Sequence, residues 1–367
     1  MSETAPASAH SNAPAAPYTL AVYNHKGGVG KTTASLNLSV CLAAAGYSCL
    51  LVDLDPQQSS TTILARSGAT PSLVDVLRRT AVIDDAVHGT PVENLWIIPS
   101  TRSLTLLESG LDDRLRPNQG LRTILSFSQH RFDFVVIDCP PAMGMLSINA
   151  LVAAESVVVP TTSGAFSLQG VQRTAETVAA LRGGIAPWLS VMGILITLFE
   201  GTQRDRQVVG ELSTNFPGQL MRHRVRFDTE VQKAEVKRQP ATVYNPQASA
   251  THDYVRVTAE LLGRLHRLRK LGEGEFSFDE TVRRMEEALA RPEFARLDEA
   301  GAPAEPEPEG LEGPRPPTAG PSGAADRQGP AGRALAVALG FALGFVVGGA
   351  LGLYLGPDAL AALASLP

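Results

Sequence analysis

Ten residues, Asn24-His25-Lys26-Gly27-Gly28-Val29-Gly30-Lys31-Thr32-Thr33, hold the densest chemistry in the chain. Gly27, Gly28 and Gly30 allow positive-φ turns and lack the Cβ atoms that would keep main-chain N–H groups from phosphate oxygens. Lys31 supplies a cation to β- and γ-phosphates and Thr32 a hydroxyl to Mg²⁺. The helix expected to start near Thr32 turns its positive end to the anion. Val29 and Thr33 complete the nucleotide-binding set. The general pattern G-x-x-x-x-G-K-[ST] asks for glycine at position 25, where this chain carries His25. The remaining glycines preserve the cradle. A glycine turn with incidental lysines is the bland alternative. The strand-like stretch Leu20 to Tyr23 before the loop and the helix-like stretch Ser35 to Ala45 after it argue against that.

Two acidic segments bear on the same chemistry. The apolar run Ser48 to Val52 reads as a buried parallel strand leading into Asp53-Leu54-Asp55-Pro56-Gln57. Carboxylates at the C-terminal end of such a strand face the ligand crevice of an open α/β sheet. Asp55 before Pro56 also suits a helix N-cap with proline at the next position. Phe134 to Ile137, another apolar run, ends in Asp138-Cys139-Pro140-Pro141. This is a Walker B pattern, whose aspartate holds Mg²⁺, commonly through water, because Mg²⁺ keeps much of its hydration shell.

A single nucleotide needs one lysine, so Lys26, five positions before Lys31, asks for another acceptor. KGGVGKTT resembles the deviant Walker A motif of the ParA/MinD family, dimeric ATPases that position DNA and cell machinery. The resemblance implies that Lys26 crosses a homodimer interface to the partner's phosphates, while Lys31 is the ordinary phosphate lysine. DLDPQ is similar to the family's switch region, in which Asp55 orients the attacking water and Asp53 supports the metal site with Thr32 and Asp138. Asp-Cys-Pro-Pro is similar to the family's Asp-x-Pro-Pro. Val157 to Pro160 followed by Phe166 to Gly170 also resembles the family, and the likeness covers about residues 18–265. It implies ATP and Mg²⁺ as ligands and a ParB-like or other activating partner. No helix-turn-helix precedes the loop, which groups the chain with the short forms.

These motifs need a doubly wound, mostly parallel α/β sheet of the P-loop NTPase type to position them. Strand-like Ser156 to Pro160 and Val191 to Thr197, with a helical stretch from Phe166 to Leu181, continue the alternation after Asp138. Composition divides the 367 residues further. Residues 1–17, rich in Ala, Pro and Ser, read as a disordered arm without the basic start and apolar run of a secretory signal. Residues 18–270 form the ATPase domain, 271–300 an acidic helical extension, and 301–332 a Pro/Gly/Glu-rich linker. An apolar helix is expected over 333–357 and a short tail over 358–367. Three cysteines, with no CxxC or Cys/His cluster, argue against disulfides or an iron–sulfur site and fit a reducing cytoplasm.

Residues 18–270 hold 25 Lys and Arg against 21 Asp and Glu, a net of +4, whereas residues 271–333 hold 7 against 14, a net of −7. A basic cluster runs from Arg204 and Arg206 through Arg222, Arg224 and Arg226 to Lys233, Lys237 and Arg238. Such residues grip phosphates without reading bases, giving nonspecific DNA binding. By the family resemblance, Arg204, Arg224 and Arg226 lie nearest to its DNA-contacting positions. A solvated face, with Asp205, Glu211, Asp228, Glu230 and Glu235 interleaved, is the bland alternative. Arg264, Arg267, Arg269 and Lys270 either extend the patch or favour a helix C-terminus.

Ala334 to Gly356 carries no charge over 23 residues. As a helix it would span roughly 34 Å, enough for a bilayer core. Gly340, Gly344, Gly348, Gly352 and Gly356 would form one small-residue stripe suited to helix contact in membranes. Arg327 and Arg333 suggest that its N-terminal side faces the cytoplasm, tethering the ATPase to the inner membrane. A soluble helix docked on a partner is the alternative. The expectation is an ATPase that positions DNA or a cellular assembly, cycling between an ATP dimer on a surface and a released ADP form. A nucleotide-sensing scaffold without hydrolysis and a membrane-linked tyrosine autokinase are the alternatives. The autokinase lacks support, since the tail has Tyr354 in place of a terminal tyrosine cluster.

Overall fold

The computed structural model describes residues 16–108, 120–164, 166–271 and 275–295. Seven strands build one sheet: β1 (Tyr18–Val22), β2 (Cys49–Asp53), β3 (His88–Gly89), β4 (Leu95–Ile98), β5 (Phe134–Asp138), β6 (Ser156–Thr161) and β7 (Ser190–Ile196). Their order is β3-β4-β2-β5-β1-β6-β7, and every pairing is parallel except β3 with β4. The expected doubly wound sheet is present.

Every residue of β1, β2 and β5 is buried. Continuous apolar runs of this kind form when helices cover both faces of a parallel sheet. Alternation then divides each strand between two layers. Leu20, Val22, Leu51 and Val136 join one core with helices Lys31–Ala44 and Ser249–Arg267. Ala21, Leu50, Val52, Val135 and Ile137 join the other, with helices Met145–Ala153 and Ser167–Arg182. Burial contributes about 1.5–3 kcal/mol for each large aliphatic side chain.

The element boundaries shift slightly from the sequence expectation. Ser48 stays outside β2 because its main-chain N–H and hydroxyl donate to the Asp133 carboxylate at 2.8 and 2.9 Å. The first helix begins at Lys31, and Gly46, at φ 92°, follows its end. Residues from the stretch expected as an acidic helical extension contribute to the first core. Helix Phe278–Leu289 buries Met285, Ala288 and Leu289 there. Among the described residues no helix is long and apolar enough to cross a membrane, and Ala334 to Gly356 lies outside them. Cys41, Cys49 and Cys139 are all free thiols and buried.

Candidate active site

The sheet order brings the three motifs to one edge. Val22 and Asp53 lie in register with Asp138 on either side of β5, so β1 delivers the glycine loop beside two carboxylates. Asn24, fully buried, anchors the start of that loop. Its Nδ2 donates to Pro160 O at 2.7 Å, and its Oδ1 accepts from Lys26 N at 3.0 Å. Gly170 keeps the next helix close, since a Cβ there would come within 3.3 Å of Asn24 Oδ1.

Gly28 and Gly30 take left-handed φ values of 69° and 76°. A Cβ at Gly27 or Gly28 would meet no atom within 4 Å, so the space in front of the loop is open. Val29 is buried, and its carbonyl accepts from Thr197 Oγ1 at 3.0 Å, tying the loop to the end of β7. Lys31 is only 7% exposed, and its Nζ donates to Lys26 O at 2.8 Å. Burial holds its ammonium below the usual lysine range, against the opposing pull of Cys139, Asp138 and Asp55. Thr32 and Thr33 are half-buried at the helix start. The Lys26 amine lies 3.5 Å from where a Cβ on Gly164 would sit, against the loop after β6.

Asp138 is fully buried, with Ser35 Oγ donating to Oδ1 at 3.0 Å and Ser60 Oγ to Oδ2 at 2.7 Å. Asp53, also fully buried, accepts from Asp55 N at 3.1 Å, Thr61 N at 2.8 Å and Thr61 Oγ1 at 2.7 Å. Burial raises both carboxyls above their usual range, with mutual repulsion adding to the rise at Asp53 and hydroxyl donors opposing it at Asp138. Lys31 donates to a carbonyl rather than to either acid. This pair of buried acids beside an open anion cradle therefore suits a divalent cation. Asp53 has both oxygens engaged inside its own segment, as Asp138 has both of its oxygens engaged by serine hydroxyls.

Asp55 is 8% exposed; its Oδ1 accepts from Gln57 N at 2.9 Å and its carbonyl from Ser100 Oγ at 2.7 Å. The N-cap alternative does not describe it. The next helix starts at Ser59 after a left-handed Gln58, and Asp55 closes a turn instead. Ser35, Ser60, Thr61, Ser100 and Thr197 escaped the sequence reading. Single hydroxyl residues give no motif, although Ser35 lies one helical turn beyond Lys31.

The basic cluster is divided by its pairings. Val225 is buried, while Arg226 is exposed and Arg224 half-buried on the extended stretch beside β7. Arg226 grips buried Asp253 in bidentate fashion through Nε at 2.8 Å and Nη2 at 2.9 Å. Arg224 lies over the Phe199 ring, 5.0 Å from its centroid. Arg204 is exposed in the first turn of helix Gln203–Asn215. Of the two alternatives for Arg264, extension of the patch is not the one its partners favour. Arg264 pairs with Glu260 at 2.9 Å and donates to the carbonyls of Met192 and Leu220. Arg267, Arg269 and Lys270 are exposed.

Residues 18–191 match AAA_31, described as an AAA domain. The sporulation initiation inhibitor protein Soj of Bacillus subtilis is 32% identical over 245 residues, covering 66% of this chain and 97% of that protein. This chain belongs to the ParA/MinD family of P-loop ATPases. The chromosome partitioning protein ParA of Caulobacter vibrioides is 31% identical over 250 residues, or 67% of this family member and 94% of that relative. Among solved structures, cobyrinic acid a,c-diamide synthase from Mycobacterium smegmatis with bound ADP and magnesium is 27% identical at TM-score 0.57. The match covers 71% of this chain and 99% of that one. The septum site-determining protein MinD of Pyrococcus horikoshii, complexed with Mg-ADP, shares the fold at TM-score 0.57 and 21% identity, covering 67% and 96%.

Proposed function

We propose that this ParA-type ATPase hydrolyses ATP slowly, dimerises around two nucleotides and positions DNA or a cellular assembly. The observation that carries the reading is the meeting of the open glycine loop, Asp138 and Asp55 at adjacent strand ends. The loop N–H groups from Gly27 to Thr33 bind phosphate oxygens, and Lys31 gives up its bond to Lys26 O to meet the transferring charge. Thr32 and Asp138 would hold Mg²⁺, which supplies neutralisation of phosphate charge. Asp55, set in its turn by Gln57 and Ser100, orients the attacking water.

Lys26 leaves the loop after β6 to reach the phosphates of a second copy. Phe166, 64% exposed, and Met143, 39% exposed, follow β6 and β5 and offer apolar surface that such a copy would cover. The dimer binds nonspecific DNA through Arg204 and Arg224, with Arg226 contributing only its exposed face. A ParB-like partner accelerates turnover, and ADP returns the protein to its released state. Ala334 to Gly356 anchors the cytoplasmic ATPase to the inner membrane beside the nucleoid.

The test is ATP turnover by the full chain, with and without duplex DNA, beside Lys26→Ala and Asp55→Ala. Slow turnover that DNA accelerates, and that falls at least ~100-fold in each variant, is the expected result. Turnover indifferent to Lys26 removes the cross-dimer role. Tight ATP binding without turnover under any condition favours a nucleotide-sensing scaffold.

A further inference from the structure

Asp138 is reached by hydroxyls from two different parts of the chain. Ser35 belongs to the helix after the phosphate loop, whereas Ser60 belongs to the short helix Ser59–Leu64 that follows Asp55. Ser60 is fully buried, and a serine hydroxyl has a single proton to donate, which here goes to Asp138 Oδ2 at 2.7 Å.

The segment between Asp53 and Leu64 is tied down at other points too. Thr61 bonds Asp53 through both its N–H and its hydroxyl, and Ser100 N donates to that hydroxyl at 2.8 Å. Ser100 Oγ holds the Asp55 carbonyl at 2.7 Å. Among these ties, the one through Ser60 ends on the Walker B carboxylate. A cation drawn to that carboxylate changes its strength as an acceptor, and partners behind a metal-binding group tune both its affinity and its orientation.

We propose that Ser60 is a positioning residue coupling metal occupancy at Asp138 to the conformation of the segment that carries Asp55. The proposal rests on the nucleotide-binding reading above. With a cation held at Asp138, the Ser60 hydroxyl would share that carboxylate with it, and the short helix would carry the resulting shift to the turn holding Asp55. In the other direction, displacement of the segment withdraws a donor from Asp138 and alters its hold on the cation.

The experiment titrates Mg²⁺ into the full chain with a fluorescent ATP analogue, comparing the unaltered protein with Ser60→Ala and Ser39→Ala. Ser39 is an equally buried serine whose hydroxyl donates to Ser35 O at 2.7 Å on its own helix, so it controls for loss of a buried hydroxyl. Ser60→Ala is expected to keep metal-free analogue binding within ~2-fold and to raise the half-saturating Mg²⁺ concentration ~10-fold, with Ser39→Ala unchanged. Hydrogen exchange over residues 54–64 is read in parallel. It should slow when Mg²⁺ joins the analogue complex of the unaltered protein, and not in Ser60→Ala. An unchanged Mg²⁺ requirement in Ser60→Ala overturns the proposal. If that variant does not fold, Mg²⁺-independent exchange in the unaltered protein overturns it alone. Failure of the unaltered protein to bind the analogue at any Mg²⁺ concentration instead refutes the nucleotide reading, and the coupling with it.

Discussion

Arg226 shows how a residue can carry a tempting charge and a structural duty together. Its guanidinium meets both oxygens of Asp253, and its own N–H donates to the same carboxylate at 2.9 Å. Asp253→Ala leaves those donors without their acceptor, at a cost of about 1–2 kcal/mol once the exposure of Arg226 is allowed for. Urea unfolding of Arg226→Ala, Asp253→Ala and the double variant should reveal a shared coupling energy. A DNA-binding loss in Arg226→Ala with unchanged stability would return this arginine to a purely DNA-contacting role. The sequence shows a basic cluster here but cannot show its partners, because Asp253 lies 27 positions away and Glu260 faces Arg264 only once the helix has formed. The same limit hid Ser60. Its bond to Asp138 spans 78 positions, and no local pattern marks it.

At the scale of elements, the glycine loop separates backbone need from ligand need. Gly28 has φ 69°, whereas Gly27 does not require the left-handed region, and neither would have a Cβ neighbour within 4 Å. Gly28→Ala should destabilise the free protein by ~1–2 kcal/mol, the cost of a Cβ in that conformation. Gly27→Ala should leave its unfolding temperature unchanged and weaken nucleotide binding by placing a methyl group in the cradle. Calorimetry without nucleotide, paired with analogue binding, distinguishes the two variants. Equal unfolding temperatures for both would contradict the assignment. The main strands and the first helix were legible because buried parallel strands read as unbroken apolar runs, and the glycine-lysine motif fixes where the helix begins. The two-residue β3 left no such trace, and the strand order came from packing that no single run encodes. The stretch after residue 270 reads from its charges as an acidic helical extension. Yet the apolar positions of Phe278–Leu289 fall on one helical face and enter the core.

The central strands are covered on both faces, and the three thiols are buried. Burial pushes Cys41 and Cys49 up to about 12, and Cys139, behind Asp138 and also buried, is raised as well. A thiol in this state is a poor nucleophile until the structure around it opens. In folded protein a thiol-reactive dye should therefore count no cysteines within minutes, and in urea it should count all three. Prompt labelling of the native protein would mean that a face of the sheet opens locally. The natural chain thus comes silent to labelling chemistry, so one cysteine introduced on the surface can report motion without first stripping out its own.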